Sequence, residues 1–144
     1  MNPRKFEIAC IIDDDDIFIY GIKRLIELKK LCKSLLIFPN GKQALDFFQD
    51  YLPNVSAVPD LILLDMNMPV VDGWQFLESF AAIKARYPKP LTIFMVSSSI
   101  NATDIENARK LSILSGYLIK PITLEDLVLL FSGQLEGCYG NKSI

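Results

Sequence analysis

Three segments of this chain, FEIACII (6–12), DLILLD (60–65) and LTIFMV (91–96), are nearly continuous in apolar residues. A strand with one wet face alternates between apolar and polar residues; these do not, so each must be covered on both faces. Two shorter runs, SLLIF (34–38) and GYLI (116–119), bring the strands to five. The stretches that follow them read as helices: 16–32, 41–52, 72–87, 97–114 and 123–134. In the first, Phe18, Ile22, Leu25 and Ile26 make a stripe; in the second, Ala44, Leu45 and Phe48 do. Pro53 and Pro88 punctuate helix ends, PNG closes the second strand, and Thr123 suits the N-cap of the last helix. Buried strands alternating with helices call for a parallel sheet with helices on both faces, an α/β domain.

At 144 residues, with 51% hydrophobic and 22% charged residues, the chain has the makings of one domain. Its formal charge of −2 gives no footing for nucleic acid. No apolar run approaches the roughly 20 residues that span a bilayer, and the basic start runs into aspartates rather than a cleavage site. A soluble cytoplasmic protein is expected, with neither membrane nor nucleic acid as partner. Three cysteines without paired spacing, Cys10, Cys32 and Cys138, suggest no metal cluster, and Cys10 reads as a buried thiol. The chain has no histidine, which removes Ser-His-Asp and Cys-His catalysis, histidine-ligated metal and a phosphohistidine of its own. Carboxylates, hydroxyls and lysine are left to carry any chemistry.

Those groups stand at strand ends. Asp13 and Asp14 end the first strand, Asp65 the third, Ser97 follows the fourth and Lys120 the fifth. Ligands of open parallel sheets bind outside the carboxyl ends of the strands, where strand order reverses. Clustered carboxylates cannot all remain ionised without a cation. An all-oxygen set favours Mg²⁺, and a hydroxyl and an ammonium opposite it suit the oxygens of a phosphoryl group. Asp15 and Asp16 read instead as a helix cap and first-turn charge. Ser98 and Ser99 can satisfy the next helix start.

The pieces IIDDDD, LILLDMNMPVVDGWQFL, MVSSS and GYLIKPIT, in this order and spacing, resemble the receiver domain of two-component response regulators. The resemblance covers residues 5–135, leaving 136–144 as a short tail with the composition of a frayed end and no effector domain. It implies a doubly wound (βα)5 fold, flavodoxin-like and CheY-like, with five parallel strands in the order 2-1-3-4-5. It implies Asp65 as phosphoacceptor, Asp14 as direct Mg²⁺ ligand, Asp13 as ligand through water, and the Asn67 carbonyl as a further ligand; Mn²⁺ can substitute. Ser97 matches the hydroxyl that bonds the phosphoryl group, Lys120 the lysine that pairs with it, and Tyr117 the aromatic that turns inward when the hydroxyl moves. Pro69 and Gly73 shape the loop after Asp65, and Lys120–Pro121 stands where the family often has a cis bond. Asn67 and Ser99 occupy positions that tune the lifetime of the phosphoryl group.

The implied function is that of a single-domain response regulator. A sensor histidine kinase or histidine phosphotransfer protein supplies the phosphoryl group; an unknown downstream protein, or a relay, receives the signal. The domain catalyses its own phosphorylation and slow dephosphorylation. Ile17, Ile19 and Tyr20 lie off the first helix's stripe and form either a wide buried face or a contact surface for the phosphohistidine-bearing partner. The alternative is a haloacid-dehalogenase-type phosphatase using Asp13 and Asp15, for which IIDDDDI approaches D-x-D-x-[TV] with Ile17 in place of Thr or Val. That reading leaves DMNMPVVDG unexplained. A module working by constitutive partner contact is a third option; flavin binding lacks the needed phosphate loop after the first strand.

Overall fold

A computed structural model describes residues 5–140; the basic start at 1–4 and the last four residues, 141–144, lie outside the described residues. Ten elements alternate: β1 (Ile8–Ile12), α1 (Asp16–Lys29), β2 (Ser34–Phe38), α2 (Gly41–Tyr51), β3 (Leu61–Asp65), α3 (Gly73–Lys84), β4 (Thr92–Ser97), α4 (Ala102–Arg109), β5 (Gly116–Ile119) and α5 (Leu124–Phe131). The sheet is parallel throughout, in the order β2-β1-β3-β4-β5. Every residue of β3, its central strand, is buried. This is the expected doubly wound architecture.

Alternate residues of each strand feed two cores. Cys10, Ile12, Ile62, Leu64, Ile93 and Met95 join Ala44, Phe48, Phe76 and Phe80 of α2 and α3. Ala9, Ile11, Leu61, Leu63, Phe94 and Val96 join Ile22 and Ile26 of α1 and Leu127 and Leu130 of α5. Two buried faces explain the lack of alternation in the sequence. The first helix's stripe is confirmed at Ile22 and Ile26, with Phe18 and Leu25 partly buried. Ile17 is 86% exposed and Tyr20 63%, so the buried face does not extend to them, whereas Ile19 is partly buried against the α1 and α5 core.

The helices are shorter than their sequence patterns. α1 stops at Lys29 because Lys30 enters the left-handed region (φ 51°) and its N–H caps the last turn. α4 begins only after Asn101, whose side chain accepts from Thr103 N–H, so the hydroxyl-rich residues before it form a loop. Thr123 caps α5 in a reciprocal capping box with Asp126. Among the described residues no helix is long and apolar enough to cross a membrane.

The expected frayed end does not hold for residues 137–140, where Tyr139 pairs in parallel with Tyr117 and Cys138 is buried. Gly137 and Gly140 adopt positive φ (89° and 86°), which lets the chain after α5 fold back along β5. The edge strand's unpaired backbone groups supply the partners.

Candidate active site

The register of the sheet builds the site. Ile12 is level with Leu64, so the next residues, Asp13 and Asp65, emerge side by side at the carboxyl edge. Ser97 and Ile119 are level on β4 and β5, which places Lys120 one step beyond Ser97. Carboxylate oxygens of Asp13, Asp14 and Asp65 lie within 4.8 Å of one another. Asp13 and Asp65 are buried, at 1% and 5% exposure, whereas Asp14 is exposed.

Few donors serve these acids. Asp13 Oδ1 accepts from the Asp15 N–H at 2.9 Å, and Asp65 Oδ1 from the Asn67 N–H at a long 3.4 Å. Asp13 Oδ2 is buried without an aligned hydrogen-bond donor. Its counter-charge is Lys120 Nζ at 3.0 Å, which stands 3.7 Å from Asp65 Oδ1. Burial, against the help of the Asp15 N–H and Lys120, raises the Asp13 carboxyl above the ordinary carboxylate range. Burial and then the Asp13 charge push Asp65 up to about 7, with Lys120 opposing. One ammonium cannot neutralise three carboxylates. The buried Asp13 Oδ2, with its all-oxygen neighbours and an exposed Asp14 facing solvent, fits a hard divalent cation such as Mg²⁺ that retains waters.

Lys120 is aimed from three sides. Its backbone N–H donates to Ser97 O at 2.8 Å, and its bond to Pro121 is cis. Its ammonium lies 4.3 Å from the centroid of the Phe18 ring, a cation–π contact that holds the lysine over the acids. Sequence reasoning placed Phe18 in the helix stripe and missed this contact. The available signal was its place in the first turn of the helix that directly follows the acidic strand end.

Ser97 and Tyr117 are both buried, at 1% and 0% exposure, and the partly buried Ser99 links them. The Ser99 N–H donates to Ser97 Oγ at 3.0 Å, and the Tyr117 hydroxyl donates to Ser99 O at 2.9 Å. The Ser99 hydroxyl donates to Asp104 Oδ2 of α4 at 2.8 Å and accepts from the Asn101 N–H at 3.1 Å. Tyr117 thus points inward. Ser99 serves the next helix start, as expected, and also ties that start to Ser97, which the sequence did not disclose.

The loop after Asp65 is held tightly. Gly73 N–H donates to Met66 O at 2.9 Å, and a Cβ on Gly73 would lie 2.6 Å from Asp65 O. Only glycine lets α3 start this close to the acid. Pro69 O accepts from the Val71 N–H at 2.8 Å, which turns the chain through Val70 at φ 68°, a left-handed conformation that a β-branched residue resists. Asn67 is exposed beside Asp65. Asp15 stands apart: its carboxylate accepts from the Ile17 and Phe18 N–H groups as the N-cap of α1, and Asp16 lies in the first turn.

Comparison with known proteins agrees with this geometry. The chain is 28% identical over 128 residues to the transcriptional regulatory protein DegU of Brevibacillus brevis, covering 89% of this chain and 49% of that protein. It is 32% identical over 146 residues to the peroxide stress-activated histidine kinase mak1 of Schizosaccharomyces pombe, covering 99% of this chain but 8% of the kinase. This chain therefore spans half or less of the length of these two relatives. A two-component response regulator from Cytophaga hutchinsonii superposes with a TM-score of 0.76 at 25% identity, over 92% of this chain and 98% of that one. The pattern described as the response regulator receiver domain matches residues 9–132. With the fold, the acidic edge and this match together, the chain belongs to the response regulator receiver domain family.

Proposed function

We infer that Asp65 is the phosphoacceptor and that a partner's phosphohistidine is the donor. The observation that carries this is the convergence of Asp13, Asp14 and Asp65 within 4.8 Å, with Lys120 Nζ against two of them. Receiver domains take phosphoryl groups from histidine kinases and bind Mg²⁺ at an acidic pocket. In this chain Asp13, Asp14, Asp65 and the Asn67 carbonyl would hold the Mg²⁺, with Mn²⁺ as a substitute. When bound, the cation supplies positive charge to the oxygens of the transferring phosphoryl group.

The chain's own residues supply the rest. An Asp65 carboxylate oxygen attacks phosphorus as the P–N bond to the donor imidazole breaks, and the electron pair leaves with the imidazole. Lys120, held by Asp13 and Phe18, is placed to pair with a phosphoryl oxygen. Ser97 Oγ, engaged by the Ser99 N–H, can turn to donate to the same group. Ser99 would move with it, and through Ser99 the start of α4 and the Tyr117 hydroxyl. Exposed Ile17 and Tyr20 offer the donor an apolar contact beside the acids. Output by contact with a downstream protein, or by onward transfer in a relay, belongs to the same reading.

The phosphatase reading gains no support. Its second aspartate, Asp15, is spent capping α1.

The deciding experiment is intact-mass measurement after incubation with Mg²⁺ and acetyl phosphate. One phosphoryl group is expected on the parent chain and none on Asp65→Asn. An adduct surviving that substitution, or appearing without Mg²⁺ to the same extent, refutes the assignment.

A further inference from the structure

The residues after α5 grip the backbone of Tyr117. Gly137 N–H donates to Ser115 O at 2.7 Å, Tyr117 N–H to Cys138 O at 2.9 Å, and Gly140 N–H to Tyr117 O at 2.8 Å. Both backbone polar groups of Tyr117 are therefore taken by this segment. The Tyr139 hydroxyl donates to Leu114 O at 3.0 Å, and the Arg109 guanidinium of α4 lies 5.0 Å from its ring centroid. Two glycines make room: a Cβ on Gly116 would lie 2.7 Å from Cys138 O, and one on Gly140 would lie 2.8 Å from Ile105 Cδ1 of α4.

Covering an edge strand needs only backbone pairing. Here the segment also binds α4, the loop before β5, and Tyr117, whose hydroxyl reaches Ser99 O. The chain of contacts is continuous: Ser97 Oγ to Ser99, Ser99 to Tyr117, and Tyr117 to residues 138 and 140.

We propose that Tyr139, with Gly137–Gly140, is a positioning residue for the switch: docking of this segment and the inward Tyr117 stabilise one another. The proposal rests on the reading of Asp65 given above. Docking and phosphorylation are then linked. A phosphoryl group that favours inward Tyr117 tightens the segment, and loss of the segment weakens the response to phosphorylation by the same factor. A downstream protein binding the α4–β5 edge has to displace residues 137–140 or include them in its contact.

Amide hydrogen exchange on the full chain, with intact mass read in parallel, tests this. Tyr139→Ala, with its helical content checked by circular dichroism, is expected to speed exchange at the Tyr117 amide about tenfold. Tyr139→Phe, which keeps the ring against Arg109, is expected to restore most of the protection. Acetyl phosphate with Mg²⁺ is expected to slow exchange at the Tyr117 and Gly140 amides of the parent chain by about threefold or more. Unchanged Tyr117 exchange in Tyr139→Ala overturns the proposal. So does equal Gly140 exchange before and after a confirmed mass shift, the result for a merely structural strap. If no mass shift appears, the Asp65 reading fails, and the unmodified Tyr139→Ala comparison still decides the positioning role. Should Tyr139→Ala not fold, Arg109→Ala removes the cation–π contact from an exposed side chain and takes its place, with a smaller acceleration expected.

Discussion

Asp60 and Asp65 bracket β3, five residues apart, and meet opposite fates. At the amino end, Asp60 Oδ2 accepts from the Glu7 and Ile8 N–H groups, both at 2.9 Å, and Oδ1 pairs with Lys89 Nζ at 2.9 Å. At the carboxyl end, Asp65 has one long hydrogen bond and a second buried acid beside it, and its carboxyl rises to about 7. Asp60 stitches β1, β3 and the loop before β4 together. Asp65 is left short of partners, which suits a group that must take on a phosphoryl group and a cation. The same residue type is a structural clamp where donors converge and a reactive group where acids converge.

Exchanging the two acids for neutral residues breaks the comparison most sharply. Asp65→Asn is expected to abolish the phosphoryl adduct while leaving the fold intact or steadier, since it removes a strained charge. Asp60→Ala is expected to keep the adduct and cost about 2–3 kcal/mol in denaturant unfolding, because two N–H groups and Lys89 lose their partner. Equal loss of phosphorylation in both variants would show that the ends of β3 do not divide the work.

Gly73→Ala strikes only the site end. Its Cβ would meet Asp65 O at 2.6 Å, so a cost of about 2 kcal/mol is expected, with slowed phosphorylation as Asp65 is displaced. Parent-like stability would mean that the start of α3 shifts freely.

pH acts on the site end of β3 through the raised Asp65 carboxyl. The Asp65 carboxyl is pushed up to about 7 in the folded chain, whereas an unfolded aspartate titrates at about 3.9. The folded state therefore holds the extra proton between those values, and stability from this group is lost as pH rises from about 4 to about 7. Without divalent cation, a decline of roughly 1–3 kcal/mol is expected across that window. It should flatten in Asp65→Asn and be offset by Mg²⁺ at pH 7 and above, which thermal unfolding reads directly. A decline of equal size in Asp65→Asn would assign it to other groups.

The smallest effect concerns Val70, 89% exposed and at φ 68°. Asn tolerates that conformation, so Val70→Asn is expected to stabilise the chain by about 0.5–1 kcal/mol. A neutral or negative change would place the cost of the loop elsewhere.

Much of this was open to reading along the chain. Continuous apolar runs gave the five strands, and the resemblance gave their order. The acids and Lys120 were found because they stand where apolar runs stop. Asp15 and Thr123 were found as caps because capping is settled within a few residues. Two of the contacts that were missed join distant parts of the chain, and the third crosses a loop that the sequence pattern reads as helix. Phe18 meets Lys120, Ser99 meets Asp104 across a loop, and Tyr139 returns to Tyr117 although its surroundings have the composition of a loose end.

The sequence by itself determined which segments are strands and helices, the caps at Asp15 and Thr123, and that chemistry without histidine would rest on carboxylates at strand ends. Those properties follow from local periodicity and hydrogen bonding. Only the tertiary structure decided that Asp60 is satisfied and Asp65 is not, that Lys120 leans on Phe18, and that residues 137–140 hold Tyr117. Those outcomes depend on the register of parallel strands joined by long crossovers, which brings together groups whose separation along the chain carries no trace of the meeting.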